Sequence, residues 1–304
     1  MASDGKPVWK DPDIGMVRQL LAMARPADAP PQTWAERRMG MDAFGLRPLA
    51  EGTVRIGIDI DGLHSERLTP PGADETRALL YLHGGGYCVG SPLSHGVMVS
   101  RFAAVMGVPA LVPNYRLGPE HPFPAAVDDA LKAYRHLLEG VAPEGIAIAG
   151  DSAGGGLTLA LALAIRDAGL PQPGCLFVIS PWADLRQVGA SYAALEPVDA
   201  MLSKAGLDEF AAAYLAGHDP ADPLASPALG DYRGLAPLLI HVGGAEVLLS
   251  DACAVAERAG LAGVDVRLEI WPEMIHVWHA FADQMATSWR AINEAGAWMK
   301  SKLG

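Results

Sequence analysis

The stretch Ile146-Ala147-Ile148-Ala149-Gly150-Asp151-Ser152-Ala153-Gly154-Gly155-Gly156-Leu157 decides how this chain is read. A short apolar run at 146–149, of strand length, meets a serine set between glycines, and an apolar helical period follows over 155–167. Gly150-Asp151-Ser152-Ala153-Gly154 fits the G-x-S-x-G pattern of a nucleophile elbow. A serine between strand and helix sits on a tight, strained turn that pushes its hydroxyl out of the sheet. The same turn leaves N–H groups at a helix N-terminus, where negative charge is favoured. In a chain with 34 glycines the pattern alone also describes a plain Gly-rich helix cap, so the strand–turn–helix setting carries the reading.

Outward from this turn, apolar runs and helical periods alternate. Strands are expected at 54–60, 78–82, 109–113, 146–149, 175–179, 238–242 and 266–270, and helices at 97–106, 125–138, 155–167, 251–261 and 281–302. That alternation predicts an α/β fold with a mostly parallel central sheet and helices on both faces. Two segments stand apart. Ile14, Val17, Leu20 and Leu21 recur at helical spacing behind Asp13, which is placed to cap, and Pro26, Pro30 and Pro31 then break the pattern before a second helix at 34–44. Residues 1–50 are therefore expected to form an N-terminal helical cap on a catalytic domain at 51–304. Within that domain, 183–222 reads as a cap insertion with a helix at 202–215. Trp9, Leu20, Met23, Met201, Leu202 and Phe210 are candidates to line a pocket beneath it.

His83-Gly84-Gly85-Gly86 follows the strand at 78–82. Glycines let backbone N–H groups approach an oxygen closely, and such donors stabilise the negative charge that develops on a carbonyl during acyl transfer. Gly85, Gly86 and Ala153 are the candidate donors, with Gly84 the lesser one. A phosphate-binding loop would need a following Lys-Ser/Thr, which is absent here. His83, at a strand end, is expected to orient the loop. Elbow enzymes place their partners in the chain order serine, acid, histidine. Of His218, His241, His276 and His279, only His276 lies in a loop between a strand and the last helix, and imidazole suits general base work. The acid is expected after the strand at 238–242. Glu246 sits in that loop, and Asp251, the alternative, reads as the start of a helix. His276 and His279 lack an apparent third ligand, so no metal is expected.

The 304 residues are 50% hydrophobic and 19% charged, enough to bury a sizeable core. A net charge of −12 argues against nucleic-acid binding and against docking on an anionic membrane. Cys88, Cys175 and Cys253 are too few and scattered for a disulfide framework. Cys88, beside the glycine loop, would make the protein thiol-sensitive. The start MASDGKPVWK lacks a signal-peptide layout, and the longest apolar stretch, 157–165, is far short of the roughly 20 residues that cross a bilayer. A cytoplasmic protein without stable membrane anchoring is expected.

These motifs together resemble the hormone-sensitive-lipase-like esterases, the bacterial family IV carboxylesterases. The resemblance rests on HGGGY at 83–87, YRLGPEHPFPAAVDD at 115–129, GDSAGG at 150–155, SPWADL at 180–185, DPLASP at 222–227 and MIHVWHAF at 274–281. It implies an α/β-hydrolase fold with a helical cap, hydrolysis of short-chain acyl esters, a small-molecule ester as substrate, no cofactor and a possible homodimer. On this resemblance Ser152 matches the nucleophile, His276 the base, and Gly85, Gly86 and Ala153 the oxyanion donors. The acid departs from the pattern: much of the family has D-P-L-R-D where this chain has Glu246-Val247-Leu248-Leu249-Ser250-Asp251. A subset of relatives uses glutamate, which supports Glu246 and leaves Asp251 open. Amidases and arylacetamide deacetylases share this machinery. Non-catalytic receptors of the fold typically lose the histidine that is present here as His276.

Overall fold

Short β-rich runs buried on both faces form the centre of one mixed sheet, and more polar runs form its edges. The computed structural model describes residues 10–24 and 31–304; Trp9, Pro26 and Pro30 lie outside them. The strands are β1 (Val54–Ile60), β2 (Leu63–Thr69), β3 (Ala78–Leu82), β4 (Ala110–Pro113), β5 (Ile146–Asp151), β6 (Cys175–Ile179), β7 (Leu238–Gly243) and β8 (Val266–Trp271). Their order across the sheet is β1-β2-β4-β3-β5-β6-β7-β8. β2 runs antiparallel to β1 and β4, and the pairs from β4 to β8 are parallel. This is the α/β-hydrolase fold.

The period-2 alternation of strand side chains divides the core into two layers. Leu80, Leu82, Ile146, Ile148, Leu176, Val178, Leu238 and Ile240 face one side with α4 (Ala125–Leu138), α5 (Ala153–Asp167) and α8 (Leu249–Leu261). Leu79, Tyr81, Ala147, Ala149, Phe177, Ile179 and Leu239 face the other, with α3 (Pro92–Met106) and α9 (Ala286–Lys302). β2 is a strand that the apolar patterning does not disclose. Its sequence LHSERLT buries only Leu63, Ser65 and Leu68, because the adjacent Glu66 and Arg67 put one charge on each face. The available signal was the Asp61-Gly62 pair, both residues at positive φ, which makes a two-residue hairpin turn between β1 and β2.

Two helices precede the sheet, α1 (Ile14–Ala24) and α2 (Trp34–Asp42), and two more follow β6, α6 (Ala190–Ala194) and α7 (Lys204–Leu215). α1 buries Ile14 and Val17 against Trp271, Met274, Ile275 and Trp278. Asp11, rather than Asp13, caps it. The Asp11 Oδ1 accepts the N–H groups of Asp13 and Ile14 at 3.0 and 3.1 Å, while Asp13 accepts from Ala286 N–H at 3.3 Å. Leu20 and Met23 are 47% and 78% exposed, outside the buried face of α1. α2 opens with a Thr33/Glu36 capping box. The Trp34 ring meets Phe210 of α7 edge-on at 5.0 Å, Arg37 pairs with Glu209 at 2.9 Å, and Arg18 Nη1 donates to the Val198 carbonyl at 2.7 Å. α3 starts earlier than expected, at Pro92, because Ser91 and Ser94 form a capping box. α9 starts later, at Ala286, because Trp278–Phe281 forms a separate 3-10 turn. Among the described residues no helix is long and apolar enough to cross a membrane.

Candidate active site

The elbow forms where β5 ends. Ser152 holds φ +56° and ψ −123°, a region sparsely populated for any residue with a Cβ. Backbone bonds lock it there: its N–H donates to Ile179 at 2.8 Å, and its carbonyl accepts from Gly156 at 3.0 Å and Trp182 at 2.9 Å. The flanking glycines are a packing requirement. A Cβ on Gly154 would lie 2.0 Å from the Leu82 carbonyl oxygen, and one on Gly150 would lie 2.2 Å from that of Gly154. Ser152 keeps 9% of its surface exposed, so its side chain is at the edge of the core and can be reached.

The glycine loop is anchored by the residue before the serine. The Asp151 Oδ1 accepts from Tyr81 Oη at 2.8 Å and from Gly84 N–H at 3.2 Å, and its Oδ2 lies 3.4 Å from His95 Nε2. Burial alone would push this carboxyl up; the His95 charge and the bonds from His95 and Tyr81 overcome it and hold it below its ordinary value. Gly84 N–H is thereby committed to Asp151. Among the described residues the N–H groups of Gly85 and Gly86 have no hydrogen-bond acceptor. Gly86, at φ +60°, has the Phe210 ring where a Cβ would stand, 2.3 Å from that position. His83 orients the loop, as its place in the sequence suggested. Its Nδ1 sits 2.9 Å from the Gly84 carbonyl, its ring stacks on Tyr115 at 4.1 Å, and burial lowers its pKa to about 3.

Glu246 is fully buried in the loop after β7. Its Oε2 lies 2.7 Å from His276 Nδ1, and its Oε1 accepts from Ser180 Oγ and Gly243 N–H, both at 2.6 Å. Burial pulls the His276 pKa down, but the adjacent Glu246 carboxylate, by charge and hydrogen bond, outweighs it and leaves a net rise. Asp199 and Asp151 add to that rise, so the residue beside Ser152 is within electrostatic reach of this imidazole. With the proton held on Nδ1, Nε2 remains an acceptor.

Asp251 does something else. Its Oδ2 accepts the N–H groups of Ala183 and Asp184 at 2.9 Å each and the Tyr192 hydroxyl at 3.2 Å, fastening the chain after β6. Burial raises its pKa to about 7. His279 lies behind the site, its Nε2 3.1 Å from Nδ1 of His241, while His218 packs against Phe123. Among the described residues no three His, Cys, Asp or Glu side chains converge as a metal set. Cys88 departs from expectation. It is buried, and burial pushes its thiol up to about 12, so it stays protonated and unreactive.

Two residues missed in the sequence reading converge here. Ser180 joins Glu246 to the backbone beyond His276, and Asp199 accepts Val247 N–H at 2.9 Å, directly after Glu246. Ser180 opens the SPWADL motif, which was the one available signal; Asp199 had none.

Comparison with known proteins agrees with this architecture. A family model for the alpha/beta hydrolase fold matches residues 79–280. An acetyl-hydrolase of Streptomyces hygroscopicus is 44% identical over 297 residues, covering 96% of this chain and 98% of that protein. An esterase of Mycobacterium tuberculosis is 34% identical over 302 residues, 95% of this chain and 99% of its own. The crystal structure of an esterase from the bacterial hormone-sensitive lipase family superposes with a TM-score of 0.94 at 40% identity, covering 98% of this chain and 100% of that one. EstE5, in a crystal soaked with p-nitrophenyl butyrate, gives 0.92 at 40% identity, over 96% and 99% of the two chains. This protein therefore belongs to the hormone-sensitive-lipase-like, or family IV, carboxylesterases of the α/β-hydrolase superfamily, and is a carboxylic ester hydrolase.

Proposed function

We propose that this esterase hydrolyses short-chain acyl esters through a Ser152–His276–Glu246 triad and an acyl-enzyme. The observation that carries the reading is the 2.7 Å bond from His276 to a buried Glu246, in a sheet whose elbow holds Ser152 in a strained turn. His276 Nε2 takes the Ser152 proton as Oγ attacks the ester carbonyl, and the carbonyl π bond opens to an oxyanion held by the N–H groups of Gly85, Gly86 and Ala153. Collapse breaks the C–O bond to the alcohol, which leaves with the proton from His276. Water, deprotonated by the same imidazole, then attacks the acyl-enzyme, and its collapse releases the acid and regenerates Ser152. Glu246 holds the Nδ1–H tautomer and offsets the imidazolium charge.

Residues 1–50 and 183–222 act as one cap in this reading. The contacts of Trp34 with Phe210, Arg37 with Glu209 and Arg18 with Val198 support it. Phe210 against Gly86 narrows the space over the oxyanion donors and favours small acyl groups. The test is an acyl series of p-nitrophenyl esters from acetate to dodecanoate, with p-nitrophenyl butyrate as the reference. kcat/KM is expected to peak at butanoyl or shorter and to fall at least ~10-fold by decanoyl; a maximum at decanoyl or longer sinks the short-chain reading.

Gly86→Ala probes the oxyanion donors. The added methyl group meets the Phe210 ring at a positive φ, so the N–H must shift. A loss of about 100-fold in kcat is expected, with KM little changed. A variant within threefold of wild type would remove Gly86 from the donor set.

A further inference from the structure

We propose that Ser180 is a positioning residue for ester hydrolysis, its hydroxyl holding the Glu246 carboxylate and the backbone beyond His276 in one register. The proposal rests on the triad reading above. Ser180 directly follows β6, the strand between those that precede Ser152 and Glu246, and it is fully buried. Its N–H donates to the His241 carbonyl at 2.7 Å. Its Oγ lies 2.6 Å from Glu246 Oε1 and 3.2 Å from Val277 N. Only one arrangement of protons fits. Val277 N–H can only donate, so Ser180 Oγ accepts from it and must give its own proton to the carboxylate, which already accepts from Gly243. The hydroxyl thus links the acid loop to the residue after the base.

The backbone gives an independent reason to look at this side chain. Ser180 sits at φ +47°, and Val277, bonded to it, sits at φ +49°. A β-branched residue in that region is an outlier held in place by its surroundings. At Ser180, glycine would satisfy the backbone at less strain. A serine there is explained by its hydroxyl, and that separates the two roles experimentally.

The experiment compares Ser180→Ala, Ser180→Gly and Ser180→Cys, each normalised to the sites titrated to completion by a fluorophosphonate. The substrate is p-nitrophenyl butyrate. Losing a charge-assisted donor is expected to lower kcat 10- to 100-fold in the Ala and Gly variants, with KM within about twofold. Ser180→Cys keeps the side-chain volume with a weak donor and should fall between them and wild type. The acid limb of kcat/KM should move to higher pH by about half a unit. With one donor gone, the buried Glu246 carboxylate gains more from a protonated His276, which Asp199 and Asp151 also face. Because Ser180 acts through Glu246, Ser180→Ala should cost little further in a Glu246→Ala background.

A glycine variant with wild-type kcat per titrated site would show that only the backbone matters and overturn the proposal. So would losses that multiply in the Glu246→Ala background, or an unmoved acid limb. Failure of the triad reading would look different, with the wild type unlabelled by fluorophosphonate or Ser152→Ala still labelled.

Discussion

Ser152→Ala is expected to lower kcat for p-nitrophenyl butyrate by about 10⁵- to 10⁶-fold while leaving the fold intact. The substitution removes only Oγ. Its Cβ remains, and so do the backbone bonds to Ile179, Gly156 and Trp182 that hold φ at +56°. The proposed donors at Gly85, Gly86 and Ala153 also stay in place, so a residual rate above the uncatalysed one should persist. That residue of activity measures oxyanion and binding terms without covalent catalysis. Thermal unfolding should coincide with wild type for alanine and rise by about 1–2 °C for Ser152→Gly, which relieves about 1 kcal/mol of backbone strain. A Ser152→Ala enzyme turning over within 100-fold of wild type would end the proposed mechanism.

Glu246→Gln should cost about 10³- to 10⁴-fold in kcat, and the structure specifies why a near-isosteric amide fails. Both Ser180 Oγ–H and Gly243 N–H point at Oε1, so the amide oxygen is held there and the NH2 is forced toward His276 Nδ1. The imidazole must then carry its proton on Nε2, the atom that has to accept from Ser152. Asp251→Asn should cost less than tenfold, because its partners are Ala183, Asp184 and Tyr192 and no atom of His276. Its signature lies in stability. The folded-state pKa of about 7 stands above the unfolded value near 3.9, so the native state binds the extra proton. That contribution is present at pH 4 and is lost as pH rises through about 7. The stability of Asp251→Asn relative to wild type should therefore improve between pH 5 and pH 8, measured by urea unfolding. If Asp251→Asn loses more kcat than Glu246→Gln, the acid has been misassigned.

The parts of this protein that could be read without coordinates are those whose chemistry is local. The strand at 146–149, the glycines around Ser152 and the helix behind it form one continuous segment, and close packing there admits no larger residue. His83 at a strand end and three glycines after it could likewise be placed from neighbours in the chain. Parallel strands buried on both faces are near-continuous apolar runs, so the centre of the sheet was legible and the polar strand β2 was not.

What neighbours in the chain could rank but not settle was the choice between chemically equal groups separated along it. Glu246 and Asp251 are both carboxylates after β7, and Asp11 and Asp13 both stand before α1. Which one meets a given donor depends on how the strands align, with Ile179 opposite His241 and Gly243 opposite Trp271. Cys88 adjoins a reactive loop in sequence, yet burial beneath Phe210 makes it inert. The residue types and their order along the chain thus determined the fold class and which side chains could take part in catalysis. Tertiary structure alone decided their partners, as with Ser180 and Asp199, because hydrogen bonds act over about 3 Å and only folding brings groups tens of residues apart within that distance.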